Sequence, residues 1–342
     1  MRIDTALMGT LTEAPDRARA LAAAGFDGVF TFEGNADVFF PLVLAAEHTD
    51  LDIATNVAIA FPRSPMHLAY QAWDLQRQSE GRFCLGLGTQ IRPHVERRFS
   101  ATWGRPVAHM RELIEAVKAI FACWQDDAPL GFHGDYYDLD LMTPIFVPDR
   151  LPGGPPPIWL GALGPRMTQM AGEVADGVWI HPFNTRTLLT EHTVPNLDIG
   201  TERAGRARDA VQLGIDVMVG VHRDETEQEA AVNGCRFNLA FYGSTPAYRI
   251  TLDALGWGDL QPELRRLTKE NRWDELGSVV DDEVMRTIAV IGTPQECARQ
   301  LRDRYGDLAD RLGFTMPYSA APDLLADLVS ACRSEFARTA DA

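Results

Sequence analysis

Three stretches of the 342-residue chain place chemistry-bearing residues where an apolar run stops. The first is GRFCLGLGTQ, residues 81–90, a short apolar strand that runs into Gly86 and Gly88. A dinucleotide-binding turn needs a third glycine that opens a helix at once, with an acid about 20 residues further on. Here Gly86-Leu87-Gly88-Thr89-Gln90-Ile91 lacks that glycine, and Arg92-Pro93 delays any helix. The glycines therefore read as a strand end that lets backbone come close to a flat group. The second stretch is IATNVAIAFPRSP, 53–65, where Asn56 interrupts a buried apolar strand. A polar side chain in that setting is either satisfied by a partner or functional. The third, IWLGALGPRMTQMAGEVADG at 158–177, stops a strand at Gly161 and opens a helix at Gly164-Pro165. Proline suits the first helical position, the free N–H groups there can hold an anion, and Arg166 adds positive charge.

Proton-transfer groups come next. The eight histidines show no HxH or HExxH spacing, so no metal site is expected. His94 and His181 follow predicted strand ends and can face a cleft, where imidazole suits proton transfer near neutrality. The two lysines, Lys118 and Lys269, lie in a helix and an insertion, away from any strand end that a Schiff-base enzyme would use. Neither a GxSxG elbow nor a GxxxxGK[ST] loop occurs.

The elements that must position these residues follow one pattern: an amphipathic helix, a glycine, then a short strand. It recurs at 17–32, 72–87, 169–182 and 305–318, with Gly25, Gly81, Gly177 and Gly313 suited to helix caps or helix-to-strand turns. Strands alternating with helices imply parallel βαβ units. Eight strands are predicted, at 2–8, 28–32, 52–60, 82–87, 157–161, 177–181, 213–221 and 312–317. Most are continuous apolar runs, as strands buried on both faces require. The expected fold is a TIM (β/α)8 barrel, with a doubly wound sheet as the alternative. One domain spanning 1–342 is expected, with insertions at about 125–156 and 242–286 that suit lids, binding loops or subunit contacts.

Composition bounds the partners. With 32 basic and 48 acidic residues the net charge is −16, which leaves no electrostatic footprint for nucleic acid or anionic lipid. No window approaches the ~18 uninterrupted apolar residues of a membrane span, and the N-terminus lacks the apolar run of a signal peptide. Five scattered cysteines fit a reducing, cytoplasmic setting. A small-molecule substrate is the expected partner.

Several segments resemble the bacterial luciferase-like monooxygenase superfamily, and within it the coenzyme F420-dependent oxidoreductase branch. They are AGFDGVFTFEGNADVFFPLVLAAEHT, ATNVAIAFPRSPMHLAYQAWDLQRQSEGRFCLGLGTQ, GALGPRMTQMAGEVADG and AVIGTPQECARQLRDR. The resemblance covers nearly the whole chain. It implies a barrel with an insertion, a homodimer, and a deazaflavin ring over the C-terminal strand ends. It implies a non-prolyl cis peptide at Asn56-Val57. Asn56, Val57, Gly88, Thr89 and Gln90 would hold the ring; Leu163, Gly164, Pro165 and Arg166 would hold the phosphate-bearing tail. Sugar-phosphate dehydrogenases of that branch carry an Asp-His pair after the second strand. This chain has Glu33-Gly34 there, so that mechanism is not expected, and Glu33, His94 and His181 remain the protonation candidates. Gln90 stands where relatives commonly have glycine. Trp103, Trp179 and Phe183 are expected to wall the substrate pocket. The resemblance implies hydride transfer between F420 and a small organic substrate. An FMN-dependent monooxygenase on the same barrel is the alternative, and a non-catalytic flavin-binding protein is the alternative of another class.

Overall fold

The computed structural model describes residues 1–340. Eight parallel strands close on themselves: Arg2–Ala6 (β1), Gly28–Thr31 (β2), Asp52–Thr55 (β3), Phe83–Gly88 (β4), Ile158–Gly161 (β5), Gly177–Ile180 (β6), Gln212–Val221 (β7) and Arg311–Thr315 (β8). Each pairs with the next in the chain, and β8 returns to β1, so the sheet has no free edge in the ring. Helices on the outside bury the outward faces of the strands in one large apolar core, as the continuous apolar runs predict. The expected barrel is borne out, and all eight predicted strands form.

The interior is layered by side-chain chemistry. At the N-terminal end Arg311 reaches from β8 to Asp4 on β1 at 2.6 and 2.8 Å, and to Asp52 on β3 at 2.9 Å. It crosses β2 at Gly28, where a β-carbon would lie 2.7 Å from Asp4 Oδ1 and 3.0 Å from the guanidinium. Burial pushes the Asp4 carboxyl above its ordinary range, and the guanidinium opposes that. Above this floor Phe30, Ala54, Trp159 and Trp179 form a separate apolar cluster. The two indoles lie 4.5 Å apart and are 3% and 2% exposed.

Glycines make that layer fit. A β-carbon on Gly177 would sit 2.3 Å from the Trp159 ring, and one on Gly214 2.4 Å from the Trp179 ring. Gly177 is therefore an interior strand residue. Gly313 likewise lies inside β8, where a β-carbon would be 2.1 Å from Asp216 Oδ1. Of the four glycines read as caps or turns, Gly25 and Gly81 serve as turns, with φ of +91° and +92°.

Two connections are long. Between the helix Pro106–Asp126 and β5 lie a small hairpin, Phe132–His133 with Asp138–Leu139, and a run of loop. Between β7 and β8 the helices from Glu225 to Ile288 build a second apolar cluster. A short strand, Val290–Gly292, then pairs with the C-terminal end of β7. Three residues after a helical insertion carry too little pattern to announce a strand, so the sequence reading missed it. Among the described residues no helix is long and apolar enough to cross a membrane.

The floor can be tested directly. Arg311→Met leaves the buried Asp4 without its cation, while Asp52 keeps Arg2, and breaking such a buried pair costs about 3 kcal/mol or more. Chemical denaturation at neutral pH is expected to show that loss; an unchanged midpoint would refute the role of Arg311.

Candidate active site

The C-terminal mouth is organised around a break in β3. Ile53 and Ala54 pair with Phe83 and Cys84, but Ala58 and Ile59 pair with Leu87 and Gly88. The offset drops from 30 to 29, so the strand carries one extra residue, a bulge. Across the gap the Thr55 hydroxyl donates to the Gly86 carbonyl at 2.7 Å and accepts from the Gly86 N–H at 2.9 Å. The Asn56-Val57 peptide in the bulge is cis, as the family resemblance implies.

Val57 projects between two strand ends. A β-carbon on Gly88 would lie 2.4 Å from Val57 Cγ2, and one on Gly161 would lie 3.2 Å from Cγ1. Gly86 makes room for something else. Its β-carbon would strike the Thr55 carbonyl at 1.9 Å and approach the Trp179 indole at 2.9 Å. The flat group that this glycine admits is thus the protein's own tryptophan.

The bulge is held on both sides. The Asn56 N–H donates to the Thr31 carbonyl at 2.6 Å, and the Ala60 N–H to the Gly88 carbonyl at 2.9 Å. Glu33 accepts from the Ile59 N–H at 2.8 Å and takes a two-pronged bond from Arg63 at 2.7 and 2.9 Å. Arg63 also donates to the Ile59 carbonyl. The Glu33 side chain is largely buried and both of its oxygens accept hydrogen bonds, which is the arrangement of a strut for the bulge.

His181 follows β6 and lies against the insertion. Its ring stacks on Tyr248 at 4.3 Å and meets Tyr242 edge-on at 4.5 Å. Nδ1 accepts from the Phe183 N–H at 3.1 Å, so the neutral ring carries its hydrogen on Nε2. Burial pushes its pKa down to about 3. His94 lies on the exposed helix Arg92–Arg97, and its ring meets no partner among the described residues. The structure does not join it to the bulge.

Beside the mouth, Gly164 caps the helix Pro165–Val174, and among the described residues no side chain makes a capping hydrogen bond there. Leu163 is half-buried, whereas Pro165 and Arg166 are exposed, and Arg166 has no ion pair among the described residues. Thr89 and Gln90 are half-buried on the loop after β4. Gln90 has φ +58°, the left-handed region that favours glycine, and its side chain accepts from the Ile91 N–H. Of the expected pocket walls, Trp179 fills the barrel interior and Phe183 belongs to the insertion's core. Trp103 packs edge-on against Phe61, which stacks on His109 at 4.2 Å.

Sequence reasoning missed Asp216 and Asn184. Asp216 on β7 accepts from Asn56 Nδ2 at 2.7 Å. Asn184 Nδ2 donates to the Asp216 carbonyl and the His181 carbonyl, both at 2.8 Å. The signal for Asp216 was the one that singled out Asn56, a polar residue inside an apolar strand.

These parts fit a flat ring with an anionic tail. Backbone and small residues form the shelf, and an open helix N-terminus with a free guanidinium lies to one side. No group of three or more potential metal ligands occurs among the described residues.

The comparisons give this arrangement its class. The chain belongs to the luciferase-like monooxygenase family, whose model matches residues 2–311. It is 47% identical over 313 residues to an uncharacterised protein of Mycobacterium tuberculosis, covering 91% of this chain and 92% of that one. A putative coenzyme F420-dependent oxidoreductase of the same organism is 28% identical over 299 residues, covering 81% and 83%. The solved F420-dependent tetrahydromethanopterin reductase of Methanopyrus kandleri superposes with a TM-score of 0.81 at 17% identity, covering 98% and 99%. The protein is thus an oxidoreductase of this family, as the resemblance implied.

The histidine assignment has a thermodynamic consequence. His181 stays neutral in the fold while the unfolded ring titrates near 6.5. Its contribution to stability is therefore present above about pH 6.5 and lost as pH falls toward 3. His181→Gln is expected to lose less stability than the wild type between pH 6.5 and pH 4; parallel curves would refute a buried neutral ring. Glu33→Gln is expected to cost about 1–3 kcal/mol in denaturant unfolding, because Arg63 loses its charged partner. If Glu33 only supports the bulge, the pH–rate profile of Glu33→Gln will keep every limb of the wild-type profile.

Proposed function

We propose that the chain binds coenzyme F420 over the Asn56-Val57 bulge and passes a hydride between it and a small organic substrate. The observation that carries this reading is the bulge itself, set between Gly88 and Gly161 and beside the open N-terminus of the helix Pro165–Val174. The F420-dependent reductase with the same fold and the F420-dependent relative support the choice of cofactor. Asn56, Val57, Gly88, Thr89 and Gln90 hold the ring, and Leu163, Gly164, Pro165 and Arg166 hold the tail. When bound, the deazaflavin supplies or accepts a hydride at C5, so the substrate is an activated alkene, imine or carbonyl, or an alcohol in the reverse direction.

The protein's own groups then orient and protonate. Neutral His181 presents Nε2–H as a hydrogen-bond donor to a substrate oxygen or nitrogen; with its pKa pushed down to about 3 it does not serve as a cation. Tyr242 and Tyr248 enclose that imidazole and bring the insertion to the substrate side of the mouth. Glu33 acts on the bulge rather than on substrate. The free cysteines suit a reducing compartment. The exposed side chains of Leu141, Ile145 and Phe146, with Ile145 86% exposed, support the homodimer that the resemblance implies.

The first test is a fluorescence titration of the purified chain with F420 and, separately, FMN. Binding of F420 at about 1 μM or tighter, with FMN at least about tenfold weaker, is the expected result. FMN selectivity would instead favour an oxygen-using monooxygenase, the reading to which the family's description points. Binding of neither would overturn both, and binding without turnover of any unsaturated or carbonyl substrate would favour a flavin carrier. Arg166→Glu is expected to weaken F420 binding about tenfold, and less so at high salt. Light scattering tests the dimer.

A further inference from the structure

The mouth is polar at β7 as well, and Asp216 there has no assigned role. Asp216 faces the interior from β7, a strand buried on both faces. It has room only because its register partner is Gly313, where a β-carbon would lie 2.1 Å from Oδ1. Oδ2 accepts the Asn56 amide hydrogen at 2.7 Å, across 160 residues of chain. Oδ1 is buried and has no hydrogen-bond partner among the described residues. The Asp216 main-chain carbonyl is tied through Asn184 to the carbonyl of His181. One polar line therefore connects the bulge, β7 and the histidine at the end of β6.

The Asn56 amide nitrogen is thus committed to Asp216. Among the described residues no donor reaches the Asn56 side-chain oxygen, and Asn56 is half-buried at the mouth. We infer that Asp216 is the positioning residue of the mouth: by holding the Asn56 amide group it presents the Asn56 carbonyl oxygen as an acceptor for an N–H or O–H of the bound ring or substrate. This rests on the reading of the bulge as the ring-binding shelf.

The charge state agrees with the geometry. Burial pushes the Asp216 carboxyl up to about 8, the Asn56 hydrogen bond opposes this, and Asp4 adds to it. The groups facing it are Asp4 on β1, itself bridged by Arg311 to Asp52, and Tyr242 on the insertion helix. A proton on the unpartnered Oδ1 leaves Oδ2 free to accept from Asn56. The neutral acid is thus the form that braces the amide without a buried charge. Because the folded value lies above that of free aspartate, this group's contribution to stability falls as pH rises from about 4 to 8.

Two variants separate the possibilities. Asp216→Asn matches the neutral acid in shape and keeps an acceptor for Asn56; Asp216→Leu removes the acceptor. Selective 15N-asparagine labelling of the cofactor-free chain, with the Asn56 side-chain resonances assigned through Asn56→Ala, reads the brace without any ligand. The wild-type resonances are expected to shift with a midpoint near pH 8. They should be pH-independent in Asp216→Asn and displaced in Asp216→Leu. In titrations with F420 and with FMN at pH 7, Asp216→Asn should bind within about twofold of wild type and Asp216→Leu about tenfold or more weaker. Identical Asn56 resonances in wild type and Asp216→Leu would overturn the inference. So would equal affinity of those two proteins, or a loss in Asp216→Asn as large as in Asp216→Leu. If wild type binds neither flavin, the cofactor reading falls, while the amide resonances still decide whether Asp216 holds Asn56. Should Asp216→Leu not fold, the pH titration in wild type and Asp216→Asn decides alone.

Discussion

Arg311 is the interaction on which the rest of the barrel interior stands. A closed ring of eight strands encloses a volume that only inward side chains can fill. At its N-terminal end that filling is ionic: one guanidinium from β8 bonds acids on β1 and β3 and passes over the bare backbone of Gly28 on β2. It ties three strands to one another at the base, across a fourth. The tryptophans above are set against glycines on β4, β6 and β7, so they tolerate little sliding. The positions of Asn56 and Asp216 at the top follow from this stack, because strand register is transmitted along the barrel axis.

The mouth inherits that rigidity and uses it at one place. The bulge is bonded through its backbone to β2 and β4, through Glu33 and Arg63 to the loop after β2, and through the Asn56 side chain to β7. Such over-determination suits a site whose contribution is orientation, with the hard chemistry supplied by a cofactor. The polar groups there are set by their neighbours into particular hydrogen-bonding roles: Glu33 accepts from Ile59 and Arg63, His181 accepts at Nδ1 from Phe183, and Asn56 donates to Asp216.

Much of this was legible in the residues. The strands were visible because each is a short apolar run bounded by a helix and a glycine, and a parallel barrel demands that repeat. Asn56 was visible as a polar residue in such a run. Asp216, in GIDVMVG, carried the same signal and went unread, since its meaning depends on a partner 160 residues away. The glycines were visible as glycines, but what each makes room for is a tertiary fact: a tryptophan ring at Gly177 and Gly214, a carboxylate at Gly313, Val57 at Gly88. The bond of Glu33 to Arg63 was not legible, because Arg63 stands 30 positions further on, in a loop whose path no local pattern sets.

The insertion between β7 and β8 has a core of its own. Around Leu239, Leu252, Leu264, Leu276 and Met285, the barrel strands contribute Met218 to it, and Phe183 enters from just beyond β6. The bulge at Asn56-Val57 draws on none of these residues. Drift in the helices from Glu225 to Ile288 can therefore reshape the side of the mouth that Tyr242 and Tyr248 occupy while the tryptophan stack and the ionic floor stay as they are. The side of the mouth under the insertion and the side under the bulge thus rest on separate hydrophobic cores, joined where His181 meets Tyr242 and Tyr248.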